Sequence, residues 1–302
     1  MKQNRLGSSD LLVSEIGLGC MSLGTDEKQA TAIIDEAVEL GINFLDTADL
    51  YDSGRNEEIV GKAIKNRRSE VIVGTKVGNR RVPGKDGWTW DASKAYILSA
   101  VKDSLRRLGT DYIDLYQLHG GTIDDPIGET IEAFEELKQA GLIRHYGISS
   151  IRPNVIREYA SRSGIVSLMS QYSLLDRRPE ETTLPLLADS GISLIARGPL
   201  ASGILTDNGS TKAERGYLDY SPEELAEVRE TLLGLTNEAR TLGQTAIRYA
   251  LSAPSVAVAL TGASSVQQLR LNVSAAACRP LNDAELKALR SATKPNTYRD
   301  HR

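Results

Sequence analysis

Cysteine and histidine are scarce in this chain, and that scarcity removes several kinds of protein at once. Cys20 and Cys278 are the two cysteines, near opposite ends, and suggest no disulfide framework. With three histidines, His119, His145 and His301, the soft ligands are too few for an ordinary closed zinc site, and no metal is expected. There is no HExxH, no P-loop and no Rossmann fingerprint, because Gly17-x-Gly19 is followed by Ser22 where the third glycine belongs. Any nucleotide site must be built another way. No apolar run is long enough to cross a bilayer, and Met1-Lys2-Gln3-Asn4-Arg5 leads into no apolar signal segment. Nor is there an excess of positive charge: 36 basic against 40 acidic residues give a net charge of −4, with no basic cluster. That balance argues against nucleic acid or an anionic membrane as a partner. A soluble, cytoplasmic protein is expected, and the sequons at Asn208 and Asn272 then carry little weight.

What is present is ordinary globular composition, 40% hydrophobic and 25% charged over 302 residues, enough to bury a large core. At about 100–200 residues per domain the length suits two domains, or one α/β barrel. Eight short runs, many nearly continuous in apolar or β-forming residues, read as strands buried on both faces: Ile16–Leu18, Asn43–Asp46, Val71–Thr75, Tyr112–Leu118, His145–Ile148, Ser167–Gln171, Ser193–Ala196 and Ala257–Thr261. Helical stretches punctuate them. Thr25-Asp26-Glu27 opens one that Gly41 ends, Ser93 opens another stopped by Gly109, and Asp125-Pro126 opens a third stopped by Gly141. Arg152–Ala160, Pro179–Ser190, Pro222–Leu242 and Ser265–Ala277 follow, and Asn282-Asp283 starts a last helix. Arg5-Leu6 and Leu11-Leu12-Val13 flank Gly7-Ser8-Ser9-Asp10 as a β-hairpin able to plug the barrel bottom. No linker-like composition interrupts the chain. The expectation is one domain over residues 1–302, an α/β (β/α)8 TIM barrel with an N-terminal β-hairpin and an extra C-terminal helix.

Barrel chemistry sits at the carboxyl ends of the strands. Those ends carry Asp46, Lys76 and His119, and Tyr51 follows Asp46 by five positions. Each has a plain alternative: Asp46 as a helix cap, Tyr51 as a rim aromatic, Lys76 as a solvated charge. Their joint placement at three successive strand ends is much harder to reach by accident.

Three stretches resemble the aldo-keto reductases: Gly41-Ile42-Asn43-Phe44-Leu45-Asp46-Thr47-Ala48-Asp49-Leu50-Tyr51, then Asp111-Tyr112-Ile113-Asp114-Leu115-Tyr116-Gln117-Leu118-His119, then Gly141-Leu142-Ile143-Arg144-His145-Tyr146-Gly147-Ile148-Ser149. The resemblance spans nearly the whole chain. It implies a nicotinamide cofactor, usually NADPH, with NADH as the alternative, and an aldehyde or ketone as the small-molecule substrate. It sets the family tetrad on Asp46, Tyr51, Lys76 and His119. The residue types suit the chemistry, since hydride addition to a carbonyl needs a proton donor and charge stabilisation. Tyr51 is the expected acid, with its pKa lowered by Lys76; Asp46 holds Lys76, and neutral His119 orients the carbonyl. One departure is Asp52, where many members have glycine.

By the same resemblance Ser149 and Gln171 bond the nicotinamide carboxamide, with Ser150 in place of a usual asparagine. Arg197 stands where a stacking tyrosine is usual, and can equally point at substrate or phosphate. Gly198, Pro199, Leu200, Gly203 and Leu205 belong to a loop similar to the pyrophosphate-contacting one; its glycines otherwise serve only turns. This loop, Gly198–Gly216, has few apolar anchors and is expected to close over the cofactor. Gly262, Ser264, Gln268 and Asn272 open a helix whose end favours phosphate. The 2′-phosphate falls near Ser264 and Gln268, without the usual cation, and adenine near Asn272. Leu271 replaces a frequent adenine-binding glutamate.

Cys20 reads as a buried hydrophobe, Asp124-Asp125 as a helix cap, and Trp88, Trp90 and Tyr96 as pocket walls or rim. Two other functions fit parts of the pattern. Lys76 could form a Schiff base, as in aldolases, but Asp46 favours its protonated form. A non-catalytic nicotinamide-binding regulatory subunit would keep the same tetrad. The sequence is silent on oligomeric state.

Overall fold

The structure, a computed structural model, describes residues 1–82, 87–236 and 240–302. Its strands, in chain order, are β1 (Gln3–Arg5), β2 (Leu12–Ser14), β3 (Ile16–Gly19), β4 (Phe44–Asp46), β5 (Ile72–Val77), β6 (Asn79–Arg81), β7 (Trp88–Trp90), β8 (Ile113–Leu118), β9 (Ile143–Ser149), β10 (Ser167–Gln171), β11 (Ser193–Arg197) and β12 (Val256–Gly262). β3, β4, β5, β8, β9, β10, β11 and β12 form a closed parallel barrel, sealed where Ala259–Gly262 of β12 pairs with Ile16–Gly19 of β3. These are the eight runs marked in the sequence. Helices follow the strands on the outside, so both faces of each strand are covered and the runs read as nearly unbroken apolar segments. Inside, Phe44, Leu115, Met169, Ile195, Val258 and Leu260 fill the barrel.

The β1–β2 hairpin plugs the amino-terminal end. Its Leu6, Leu11 and Val13 are fully buried and join the interior cluster. Gly7 turns at φ +56°, and a Cβ there would lie 2.1 Å from the Val166 carbonyl oxygen, so only glycine fits.

The helix signals hold where a cap is present. Asp26 accepts from the Lys28 and Gln29 N–H groups at the start of helix Glu27–Glu39, and Ser93 caps helix Lys94–Leu108. Asn282 and Glu285 close a capping box at the final helix, Asp283–Ser291. Elsewhere the reading and the structure differ: the span Pro179–Ser190 is a 3-10 turn, Arg178–Glu180, followed by a helix that starts only at Thr183. Helix Arg55–Ile64 has no side-chain N-cap and opens on polar residues, and the sequence reading misses it. The span Pro222–Leu242 is not one helix: it ends at Leu235, and Thr241 with Gln244 forms a capping box that starts a separate helix, Leu242–Ala250. Residues 237–239 of that span, like residues 83–86 of the long third loop, lie outside the described residues.

Asp125 also departs from its expected role. It does not cap a helix but accepts from Thr122 N–H at 2.7 Å and from the Trp90 indole at 2.9 Å. Trp90 lies over Gly78, where a Cβ would meet its ring at 2.5 Å, and so wedges the loops after β5 and β8 together behind the barrel mouth. The chain ends by crossing that mouth: Tyr298 is buried, and the His301 carbonyl accepts from Asn154 N–H at 2.8 Å. No helix among the described residues is long and apolar enough to cross a membrane.

Candidate active site

Asp46 ends β4, Lys76 lies in β5 and His119 follows β8, so three neighbouring strands deliver them to one point. Tyr51 reaches the same point from a 3-10 turn, Tyr51–Gly54. Lys76 Nζ is the hub. It donates to Asp46 Oδ2 at 2.6 Å, to the Thr47 carbonyl at 2.7 Å and to Tyr51 Oη at 3.3 Å. The His119 ring meets Tyr51 edge-on, with centroids 5.9 Å apart. Lys76 has no exposed surface, and Asp46 is only 2% exposed.

Burial sets the electrostatics. For Lys76, burial works against the charge but is outweighed by Asp46 and Tyr51, so its pKa is raised. The imidazole of His119 is pushed down to about 3 by burial, with Lys76 and Arg197 adding to the effect, and is neutral at any ordinary pH. For Tyr51 the expected lowering is overturned: burial raises its pKa above the ordinary value, and Lys76 offsets only part of that. Ligand-free, the phenol keeps its proton, as a proton donor must.

The turn that presents Tyr51 is conformationally unusual. Asp52, Ser53 and Gly54 have φ of +46°, +66° and +88°, three left-handed residues in succession. Glycine adopts that region freely, which gives Asp52 a backbone meaning. Since Asp52 is exposed, only its backbone matters. Asp52→Gly is expected to keep both the melting temperature and activity, whereas Asp52→Val should cost about 1–2 kcal/mol of stability in thermal denaturation.

A cleft of about 1530 Å³ runs from the tetrad across the mouth. Ser149, Ser150, Arg197, Gly198, Pro199, Leu200 and Gly203 line one stretch, and Gly262, Ser264, Gln268 and Asn272 the far end. Two of the expected cleft residues do not line it, Gln171 and Leu205. The Leu205 side chain is fully buried in the core and its N–H donates to the Leu200 carbonyl, so it faces away from the cleft. Gln171 is not free: its amide donates to Tyr217 Oη at 2.6 Å and accepts from Arg197 at 3.2 Å. Ser264 and Gln268 bond each other, and Asn272 donates to the Gly262 carbonyl at 3.1 Å.

The loop from Gly198 is better anchored than its composition suggests. Ile204, Leu205 and Ala213 are buried, and Arg229 donates from below to the carbonyls of Ile204, Thr206 and Asp207. The N–H groups of Ala201 and Gly203 are spent on the Gly198 and Leu200 carbonyls within the loop. Cys20 is a buried hydrophobe beside Asp46, its thiol pKa pushed up by burial. Trp88 is half exposed, and Trp90 and Tyr96 stand behind the cleft without lining it.

Sequence reasoning missed Gln117, Tyr217 and the C-terminal tail. Gln117 had a signal, since it stands two positions before His119 in a strand of period two. Tyr217 had none, because a long loop carries no register.

A barrel whose carboxyl-end mouth joins a tyrosine, a buried lysine–aspartate pair and a neutral histidine beside an elongated cleft defines a class of carbonyl-acting oxidoreductases. The model of the Aldo/keto reductase family matches residues 15–294, and the chain belongs to that family. Over 307 aligned residues it is 58% identical to the uncharacterized oxidoreductase YqkF of Bacillus subtilis (strain 168), covering all of both chains. It is 31% identical to the NADH-specific methylglyoxal reductase of Escherichia coli (strain K12), covering 96% of this chain and 98% of that one. Among solved structures it superposes on aldo-keto reductase AKR11C1 from Bacillus halodurans in its holo form with a TM-score of 0.95 at 58% identity, covering 100% and 99% of the two chains. The chain is thus an oxidoreductase of a family that uses nicotinamide cofactors on small carbonyl compounds. The cleft suits such a cofactor: it is long, it passes the tetrad at one end, and Arg197 and Lys212 bring cations to it.

Proposed function

We propose that this protein is a cytoplasmic, single-domain (residues 1–302), NADPH-dependent reductase that converts aldehydes or ketones to alcohols, with Tyr51 as general acid. The observation that carries this reading is the Lys76 ammonium held between Asp46 Oδ2 and Tyr51 Oη. The cofactor, when bound, supplies a hydride to the carbonyl carbon. Tyr51 Oη gives its proton to the carbonyl oxygen as negative charge develops there. Lys76 stabilises the phenolate left behind, and Asp46 fixes Lys76 and balances its charge. His119, neutral, donates one ring N–H to the same oxygen and orients it. Its Nδ1 has no partner among the described residues, so no bond to the protein fixes the tautomer, and this reading sets the proton on Nε2.

For the cofactor, Ser149 and Arg197 flank the nicotinamide end, with Gln171 bracing Arg197 rather than reaching the carboxamide itself. Pyrophosphate falls to the Gly198–Gly203 turn, and adenosine to Ser264, Gln268 and Asn272 at the start of helix Val266–Ser274. NADPH is expected to bind more tightly than NADH, but by a modest margin, because neutral groups stand at Ser264 and Gln268 where a cation would grip the 2′-phosphate. Dissociation constants from fluorescence titration test this, and tighter NADH binding would overturn it.

The aldolase reading suffers from the geometry of Lys76, whose ammonium already has three acceptors and a raised pKa. Borohydride added with an aldehyde should trap no adduct on Lys76. The reductase reading itself is tested by NADPH oxidation across aldehydes, ketones and quinones. Binding without turnover would favour a regulatory subunit.

A further inference from the structure

Beneath the tetrad lies a residue that the proposed mechanism does not use. Gln117 is fully buried on β8, one strand over from Lys76, with which it pairs in register. Its Nε2 donates to Asp46 Oδ1 at 3.4 Å, while Lys76 occupies Oδ2 at 2.6 Å. Its Oε1 is buried with no partner among the described residues. A half-satisfied buried amide is a poor way to fill a barrel, since leucine would fill similar space without an orphaned acceptor. Turning the amide over would set Oε1 against the Asp46 carboxylate, oxygen to oxygen, so the carboxylate dictates the orientation seen.

We propose that Gln117 is a positioning residue of the active site, one that stops the Asp46 carboxylate from rotating so that Lys76 stays on Tyr51. The inference rests on the reductase reading above. Asp46 is faced by Lys76 from β5, by Gln117 from β8, by the Cys20 thiol and by the charge of Arg197 from β11, with Tyr51 beyond Lys76. Of these, Gln117 is the neutral donor that bonds Oδ1. Lys76 grips one oxygen and leaves the other free to swing; a bond to the second fixes the carboxylate plane. With the plane fixed, Nζ keeps its 3.3 Å contact with Tyr51 Oη and favours the phenolate. The contact is long, and its effect is orientation rather than added charge.

Two variants separate this role from simple packing. Gln117→Leu should fold with an unchanged or higher melting temperature, because the orphaned acceptor is gone, and should bind NADPH and carbonyl substrate as wild type does. Its kcat should fall about five- to twentyfold. In the reverse direction, alcohol oxidation, Tyr51 must be ionised; weaker help from Lys76 raises its pKa, so the limb along which the oxidation rate rises with pH moves upward by about half a unit or more. Gln117→Glu is the second variant. Ionised, it repels Asp46 and activity drops; protonated, it donates to Oδ1 as the amide does, so activity relative to wild type should recover as the pH is lowered. A packing role predicts neither the shifted limb nor the recovery on acidification. If Gln117→Leu is insoluble, Gln117→Met of similar length replaces it. Wild-type kcat and an unmoved limb in the folded leucine or methionine variant, or a pH-independent defect in the glutamate variant, would overturn the proposal. Because every comparison is made against an active wild type, failure here is distinct from absence of reductase activity.

Discussion

Replacing Tyr51 by phenylalanine lowers kcat for carbonyl reduction by about 10²- to 10⁴-fold and leaves the NADPH dissociation constant nearly unchanged. The size is that of losing a positioned general acid. The split between kcat and binding follows because the hydroxyl acts only as alkoxide charge appears, so its loss falls on the transition state. Packing is spared, since the phenylalanine ring keeps the edge-on contact with His119 and its place beside Lys76 Nζ, 4.9 Å from the ring centre. His119 cannot take over as acid: with a pKa pushed down to about 3, it has no second proton to give. The same pKa directions fix the pH profile. With Tyr51 raised by burial, kcat/KM for reduction should be flat across about pH 6 to 9 and fall only near or above the ordinary tyrosine value of about 10. A falling limb near pH 7 would mean that another group donates the proton. Steady-state kinetics of the folded variant and a pH series on the wild type read both outcomes.

Lys76→Met carries the second large effect, this time on stability as well as rate. Asp46 and Lys76 are both buried, and methionine would leave the carboxylate without its cation. Breaking a buried pair by removing one partner costs about 3–5 kcal/mol, because the remaining charge is uncompensated. The melting temperature should therefore fall by several degrees, the more so at high pH, where the stranded Asp46 is ionised; acidification protonates it and recovers part of the loss. Adding Asp46→Asn to Lys76→Met removes the stranded charge and should restore much of the stability but none of the activity. A single variant as stable as wild type would show that the pair is not the buried unit described. Restored turnover in the double variant would show that Lys76 is not needed to assist Tyr51.

How much of this could be read from residues alone depended on whether a local rule governed the feature. The barrel strands were legible because parallel strands covered on both faces are written as short apolar runs, and Ile113–Leu118 is buried throughout. Helices with a polar cap and a glycine stop, such as Lys94–Leu108, were legible for the same local reason. Helix Arg55–Ile64 was not, because it begins without a side-chain cap and its Asn56 and Glu57 are buried by partners far along the chain: Asn56 on the Cys20 carbonyl and Glu57 on Thr75 and Arg107. The tetrad positions followed from strand ends. The direction of the Tyr51 pKa did not, because the depth of burial is a property of the packed loop rather than of the residue five positions after an aspartate. Leu205 misled for a related reason: it sits inside a cofactor-like loop, yet alternates away from the cleft into the core. Tyr217 and the tail across the mouth depend on contacts between distant segments, and no short-range pattern encodes them; Gln117 shares the strand period of His119, but its bond to Asp46 comes from a distant strand.

The most direct test of the account follows the hydrogen itself. NADPH carrying deuterium at both positions of nicotinamide C4 is mixed with the protein and a reactive aldehyde, and the product is examined by mass spectrometry. The account predicts an alcohol with one deuterium on the carbinol carbon, formed in step with NADPH consumed, and none above background with Tyr51→Phe. NADPH that binds but yields no labelled alcohol from any aldehyde or ketone would contradict it.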